Sequence, residues 1–323
     1  FTPAKMQRRM AQIEESIARY LADMDTADRA EPEVAELKKG RLQEKIASLK
    51  EQMQRLKVLE ARMLASPDHQ LSLTDPDARS MKNRDGGIVG YNVQTVVDSK
   101  NHLIVAHEVV TAGIDREQLT PMAEQARAAT GIDELTVVAD RGYFKSEQIR
   151  QCDAAGITPL VPKSMTSNSK AEGRFDKQDF IYIASDDEYR CPAGQRAIKR
   201  FTTIENGLTL HKYWSSACPR CPLKAQCTTG DYRRIARWEH EAVLEAMQLR
   251  LDRQPEMMRV RRQTVEHPFG TIKYWMGWTH FLMKTLPRVR TEMSLHVLAY
   301  NLKRVMRILG IGPLLRAMRA CAA

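Results

Sequence analysis

The chain has 323 residues, of which 43% are hydrophobic and 28% are charged. This length provides a full core and room for two or three domains, which excludes a disulfide-stapled mini-protein, and no apolar run approaches the ~20 residues of a membrane span. Fifty Lys and Arg against forty Asp and Glu give a net charge of +10, and the last 93 residues alone hold 17 cations against 8 acids. Such a basic chain favours a polyanionic partner such as nucleic acid. Because it begins at Phe1 without a signal-type segment, we expect the natural polypeptide to extend further upstream.

Apolar residues recur every three or four positions in two stretches near the start of the chain. The first stretch runs from Met6 to Met24 and the second from Leu42 to Met63, with Pro32 in the segment between them. This spacing predicts two amphipathic helices folded into an antiparallel hairpin. We interpret residues 1–66 as a structural or dimerisation arm. Nucleic-acid binding by the Lys- and Arg-rich outer faces is the alternative.

The next hundred residues alternate between strand-like and helix-like patterns. Strands are predicted at 70–75, 90–98, 103–111, 135–140 and 157–161, and helices at 118–130 and 146–155. This order predicts the α/β class, with a mixed sheet and helices packed on its faces. Asp75 and Asp140 each end a predicted strand, at the edge where ligands and catalytic groups collect in such sheets.

A polar, irregular segment separates these elements from a helical C-terminal region. The irregular pattern extends from Met165 to about Asp231, and helical periodicity follows from Trp238 to Leu309. We therefore assign residues 67–163 and 236–323 to one catalytic core and residues 164–235 to an insert.

The insert contains four of the six cysteines. These are Cys191, Cys218, Cys221 and Cys227. A Cys-x2-Cys pair in a tight turn lets both sulfurs face one ion, so the spacing predicts a structural Zn²⁺ knuckle. Because the insert has few apolar residues, we expect metal binding to supply much of its folding free energy. A set of reduced, unpaired cysteines is the alternative, and Cys152 and Cys321 are interpreted as ordinary helical residues.

Three carboxylates are candidate metal ligands, namely Asp75, Asp140 and Glu266. Phosphodiester chemistry with two divalent ions requires such oxygen ligands, because the ions bridge carboxylates and keep open positions for water and phosphate. Arg262 precedes Glu266 by four residues and Lys273 follows it by seven, so the three share one face of a continuous helix. Pro268 predicts a kink or a helix start beside them. A surface ion pair between Arg262 and Glu266 is the alternative.

Four segments, in this order along the chain, carry a family resemblance. They are TDPDAR at 74–79, GYNVQTVVD at 90–98, VVADRGY at 137–143 and RRQTVEHPFGTIKYWMG at 261–277. With them the chain resembles bacterial insertion-sequence transposases of the DDE type, whose third acid lies in a Tyr-Arg-Glu-Lys signature. The resemblance implies an RNase H-like catalytic core.

The resemblance also implies roles for particular residues. Asp75, Asp140 and Glu266 would hold two Mg²⁺ or Mn²⁺ ions as the catalytic acids. Asp77 and Asp98 are alternatives for the first acid.

The basic positions of the signature are matched by Arg262 and Lys273. Together with Arg141, they are expected to contact DNA phosphates, whereas Arg259 stands where the signature has Tyr. We interpret Tyr274, Trp275 and Trp278 as core residues, and stacking on unpaired bases is the alternative.

The activity implied by the resemblance is endonucleolytic cleavage at transposon ends, followed by transfer of the 3′-OH strand into target DNA. The expected partners are the double-stranded DNA of the terminal inverted repeats and of the target, together with a second copy of the chain or more in the synaptic complex. We expect no membrane association and a cytoplasmic location at the nucleoid. A nuclease of the same fold that cuts without joining, and an inactive DNA-binding remnant, are the alternatives.

Overall fold

The computed structural model describes residues 1–27, 32–66, 68–83, 86–163 and 169–321. The chain is 51% helical and 19% strand, which confirms the predicted α/β class. It divides into two compact units. The first comprises Phe1–Gln94, Glu108–Gly113 and Trp278–Ala299, and the second comprises Thr95–His107, Ile114–Gly277 and Tyr300–Ala323. Within the described ranges, none of the helices has the length and apolar character needed to cross a membrane.

Helices lie mainly at the two ends of the chain and strands mainly in its middle, and the two alternate from α3 to β6. The helices are α1 Pro3–Ala27, α2 Pro32–Leu64, α3 Leu119–Thr130, α4 Ser146–Ala154, α5 Glu241–Arg253, α6 Met257–Gly270, α7 Leu286–Leu309 and α8 Ile311–Cys321. The strands are β1 Arg79–Asn83, β2 Gly86–Gly90, β3 Asn92–Val97, β4 Ile104–Val110, β5 Leu135–Val138, β6 Ile157–Leu160, β7 Ile181–Ile183, β8 Glu188–Arg190, β9 Arg196–Glu205, β10 Leu208–Trp214 and β11 Ile235–Trp238.

The first two helices form the predicted antiparallel hairpin. Met6, near the start of α1, and Met63, near the end of α2, are both fully buried in one apolar cluster, which also contains Ile13 and Met53. These residues belong to the seam that the three-and-four spacing defined, so the periodicity is explained by burial of one stripe on each helix. The connection at 28–31 lies outside the described residues.

The predicted strand at 70–75 is wrong. These residues are irregular, with a bend at Leu73 and Thr74, and Leu73 is 62% exposed. The antiparallel pair in this region is instead β1 with β2, whose register sets Arg79 opposite Gly90. Alternating polar and apolar residues form a strand only where a neighbouring strand accepts and donates their backbone hydrogen bonds. Pro67, just before this segment, lies outside the described residues.

The other predicted core elements are present. Strands β3 and β4 pair with each other, and β5 pairs in parallel with β6 across helix α4. The side chains of Ile149 in α4, Ile157 in β6 and Met247 in α5 meet in the core of the second unit. Cys152 is fully buried in the same cluster, as expected for a helical core residue. This packing makes the β5–α4–β6 segment a rigid support for the loop that follows β5.

The insert is not irregular, contrary to the prediction. Its strands form an antiparallel five-stranded sheet in the order β11-β10-β9-β8-β7. Asn206 and Gly207 connect β9 to β10 with φ values of 51° and 78°, the conformation of a two-residue type I′ hairpin turn. Tyr189 and Tyr213 are buried in a cluster of the sheet's own residues. The premise that the insert lacks a core is therefore also wrong.

Helix α6 runs through Pro268, so of the two predicted alternatives, a kink or a helix start, the helix start is wrong. Pro268 is buried, and the helix widens directly after it into a π-helical turn at Thr271–Trp275. The Met276 N–H donates to the carbonyl oxygen of Thr271, five residues back, at 3.1 Å. Since Pro268 supplies no N–H, the helical bond that it removes is the one to the carbonyl of Thr264, about one turn before the π-helical segment.

Candidate active site

Asp140 lies just beyond the end of β5, in the second unit. The preceding Ala139 N–H donates to the carbonyl of Leu160 at 3.1 Å, which continues the pairing with β6. The Asp140 Oδ1 atom accepts the N–H of Gly142 at 2.8 Å and so caps a short 3₁₀ turn. Arg141, one of the predicted phosphate contacts, begins this turn and is exposed. The backbone therefore holds the carboxylate in place at the sheet edge.

The second oxygen of Asp140 is paired with Arg261. The guanidinium Nη2 donates to Asp140 Oδ2 at 2.7 Å, and the two side chains are 22% and 47% exposed respectively. Arg261 lies on α6, the helix that also carries Glu266. A cation thus neutralises the proposed metal ligand at the distance of a charge-assisted hydrogen bond. Sequence reasoning missed this residue because the ion pair joins segments 121 residues apart.

A further carboxylate lies near Asp140. A Cβ at Gly142 would stand 3.0 Å from Asp140 Oδ1 and 3.5 Å from Asp115 Oδ2, so a glycine here makes room for both side chains. Burial raises the pKa of the Tyr143 phenol above its usual range, and the charges of Asp115 and Asp140 raise it further. Tyr143 therefore stays protonated at neutral pH. Asp115 precedes α3 in a loop, where no periodic pattern marks it.

Glu266 is exposed on α6, on a different face from Arg261. At about 100° per residue, five positions place it about 140° around the helix axis from Arg261. The buried stripe of α6 and its π-helical turn consists of Thr264, Pro268 and Ile272. Arg262 and Lys273 are exposed like Glu266, and the Lys273 Nζ atom lies 5.9 Å from the centre of the Phe269 ring.

Asp75, in the first unit, is buried and fully engaged in hydrogen bonds. The Tyr91 hydroxyl donates to its Oδ2 atom at 2.7 Å, and the Thr285 N–H approaches both oxygens at 3.2 Å. The neighbouring Asp77 accepts the N–H of Leu286 at 2.8 Å. The two carboxylates thus bind the free N–H groups at the start of α7. Thr285 has a φ of 71°, a left-handed conformation that is unusual for a β-branched residue and that these bonds help to hold.

The second alternative for the first acid is also bonded to backbone. Asp98 directly follows β3 and accepts the N–H groups of Lys100 and Asn101 at 3.1 and 2.7 Å, which stabilises the turn of the β3–β4 hairpin. Each of the three candidates for the first acid therefore has a local structural role. Asp140 differs from them in that a side-chain cation occupies one of its oxygens.

The three predicted acids are distributed over the two units. Asp140 and Glu266 belong to the second unit and Asp75 to the first. Among the residues that the structure describes, no three His, Cys, Asp or Glu side chains form a group that could hold a metal ion. Convergence of the trio on a common metal site stays a prediction.

The four cysteines of the insert line one cleft. Cys191, Cys218, Cys221 and Cys227 share its wall with Phe180 and Arg233. Burial raises the pKa of Cys227, Arg233 opposes this shift, and the other three thiols add to it. Four thiols beside a cation are a donor set that suits Zn²⁺. In the structure, however, no three of these thiols lie close enough together to form a group that could hold a metal ion, within the described part of the chain.

Comparison with known proteins places the chain in a family. A family model described as a transposase DDE domain matches residues 54–302, which is well over half of the chain. No curated protein and no solved structure matches the chain. The match spans all three predicted acids, namely Asp75 before β1, Asp140 in the loop after β5 and Glu266 on α6. The chain therefore belongs to the DDE transposase family, whose members act on DNA with divalent metal ions.

Proposed function

We propose that this protein is a transposase that cuts a phosphodiester bond at each transposon end and transfers the freed 3′-OH strand into target DNA. The observation that carries the proposal is the ion pair between Asp140 and Arg261. It links the carboxylate at the end of a rigid parallel strand to the helix that bears Glu266, inside the family match.

We assign Asp140, Glu266 and Asp75 as the ligands of two Mg²⁺ or Mn²⁺ ions. The ions would activate the attacking oxygen and stabilise the leaving one. Asp140 fits this role best, because its side chain is about half exposed and its turn fixes its orientation. Asp75 fits less well, because its oxygens already accept donors from Tyr91 and Thr285. Asp77 and Asp98 therefore stay as alternatives for the first acid.

The exposed cations supply the attraction for DNA. We propose that Arg141, Arg262 and Lys273 contact phosphates of the terminal inverted repeats and of the target duplex. Each phosphate neutralised releases counterions, so affinity should fall steeply as salt rises. The acting form is proposed to be a homodimer or larger synaptic complex in the cytoplasm, at the nucleoid.

The insert at 164–235 is proposed as a separate domain within a core at 67–163 and 236–323, preceded by the arm at 1–66. We retain Zn²⁺ as a proposal for its cysteine cleft, on the strength of the four thiols and Arg233 around it. Residues 164–168 lie outside the described residues. Metal analysis of the purified protein tests this assignment, and a protein free of zinc would reject it.

Asp140→Asn is the variant that tests the function. The amide keeps an oxygen for the Gly142 N–H but loses the charge that binds a divalent ion. Cleavage of a labelled duplex carrying the element's own terminal repeat, in Mg²⁺, should be abolished while duplex binding persists. Asp133→Asn, in an exposed position before β5, is the matched control.

Undiminished cleavage by Asp140→Asn would reject the proposed active site. The same substrate, incubated with a second duplex as target, separates transposase from nuclease. Joined products support strand transfer, and cleavage without joining identifies a nuclease.

A further inference from the structure

Two large aromatic side chains stand in solvent immediately after α6. Tyr274 is 86% exposed and Trp275 is 81% exposed, so interpreting them as core residues is wrong. Trp278, in contrast, is partly buried, and its ring packs 4.9 Å from that of Phe281. Large aromatic side chains are normally mostly buried, because an exposed ring leaves a large apolar area in water. Two adjacent exposed rings are therefore informative.

The π-helical turn holds both rings outward. Ile272, in the same turn, is fully buried and anchors it, while Gly277 ends it with a φ of 74°. A side chain other than glycine would be strained in that conformation. The buried Ile272 therefore fixes the segment that carries the two rings, and Gly277 ends it.

The surroundings of the rings are strongly basic. Within the same unit, residues 257–277 contain a single acid, Glu266, and four cations, which are Arg259, Arg261, Arg262 and Lys273. Lys273 directly precedes Tyr274 and is itself exposed. The complementary ligand carries negative charge and also offers flat apolar faces, a combination that a strand of nucleotides provides.

We propose that Tyr274 and Trp275 form a stacking site for unpaired DNA bases. This proposal rests on the proposed function, because the strand that stacks on the rings would be the strand bound at Glu266. A base inside a duplex is covered on both faces by its neighbours, so only an unpaired base is free to stack on these rings. Trp275 follows Glu266 by nine residues, within the continuous helical segment formed by α6 and its π-helical turn.

Binding of oligothymidylate about 16 nucleotides long tests the site, with a duplex of equal length as reference. Stacking should quench the intrinsic fluorescence of the wild type, and Trp275→Phe should remove most of that change. Trp275→Ala and Tyr274→Ala should each weaken oligothymidylate binding about tenfold and leave duplex binding unaltered. Trp214→Phe, a tryptophan of the insert sheet, is the matched control.

Oligothymidylate binding equal to that of the wild type in both alanine variants would overturn the site. A changed oligomeric mass without any change in DNA binding would also overturn it, since the rings would then contact protein. Absence of cleavage by the wild type counts against the proposed function alone, because fluorescence quenching by oligothymidylate needs no catalysis.

Discussion

Arg261 occupies the carboxylate that we assign to a divalent ion, so its removal should strengthen metal binding. The guanidinium lies 2.7 Å from Asp140 Oδ2, a separation at which the attraction between full charges is about 4 kcal/mol or more for a protein surface. Side chains that are 22% and 47% exposed lose most of this to solvent screening. The net contribution of such a pair is about 1 kcal/mol.

A metal ion that binds Asp140 through Oδ2 must displace this pair. Arg261→Gln should therefore raise Mn²⁺ affinity about fivefold, the factor that corresponds to about 1 kcal/mol. Titration by isothermal calorimetry without DNA, at an ionic strength of about 0.15 M, measures it.

Arg262→Gln is the control, because it removes the same charge from the next residue, which is exposed. The effect of Arg262→Gln on Mn²⁺ affinity measures how much the loss of one positive charge changes the electrostatic potential in general. Equal affinities in the two variants, or weaker binding by Arg261→Gln, would refute the reasoning. In Asp140→Asn the effect of the Arg261 substitution should vanish.

Two further predictions concern the insert. Gly207→Ala should destabilise it by about 1–2 kcal/mol, measured by urea denaturation, because a Cβ is strained at a φ of 78°; an unchanged midpoint would contradict the assigned turn. Burial works to raise the pKa of Asp187, but hydrogen bonds donated by Tyr213 and Tyr182 lower it overall. A lowered folded-state pKa contributes stability above the unfolded value of about 4, which is lost as the pH falls through the folded one. Tyr213→Phe should therefore flatten the stability profile below about pH 4, and an unaltered acid limb would count against this bond.

Local patterns in the sequence were sufficient to predict an element wherever that element buries one face. The hairpin of α1 and α2 followed from the spacing of Met6 to Met63, since each apolar stripe contacts the other helix. The strand ending before Asp140 followed from a short apolar run. The turn at Asn206 and Gly207 was not predicted, although adjacent Asn and Gly favour the left-handed φ values of a hairpin.

Partners distant along the chain were decided only by tertiary structure. Nothing in the sequence distinguishes Arg261 from Arg262 as the partner of Asp140; the orientation of α6 decides it. The same holds for Asp75, whose bonds come from Tyr91 and from the start of α7.

The sequence by itself determined the N-terminal helical hairpin, the α/β class and the family of this protein, because burial periodicity and motif order are local properties of a chain. The tertiary structure alone decided which carboxylate is neutralised by a cation, that the insert has its own core, and that Tyr274 and Trp275 face solvent. The physical reason is that ion pairing and exposure depend on which surfaces meet. Residues adjacent in sequence, such as Arg261 and Arg262, point to different sides of one helix.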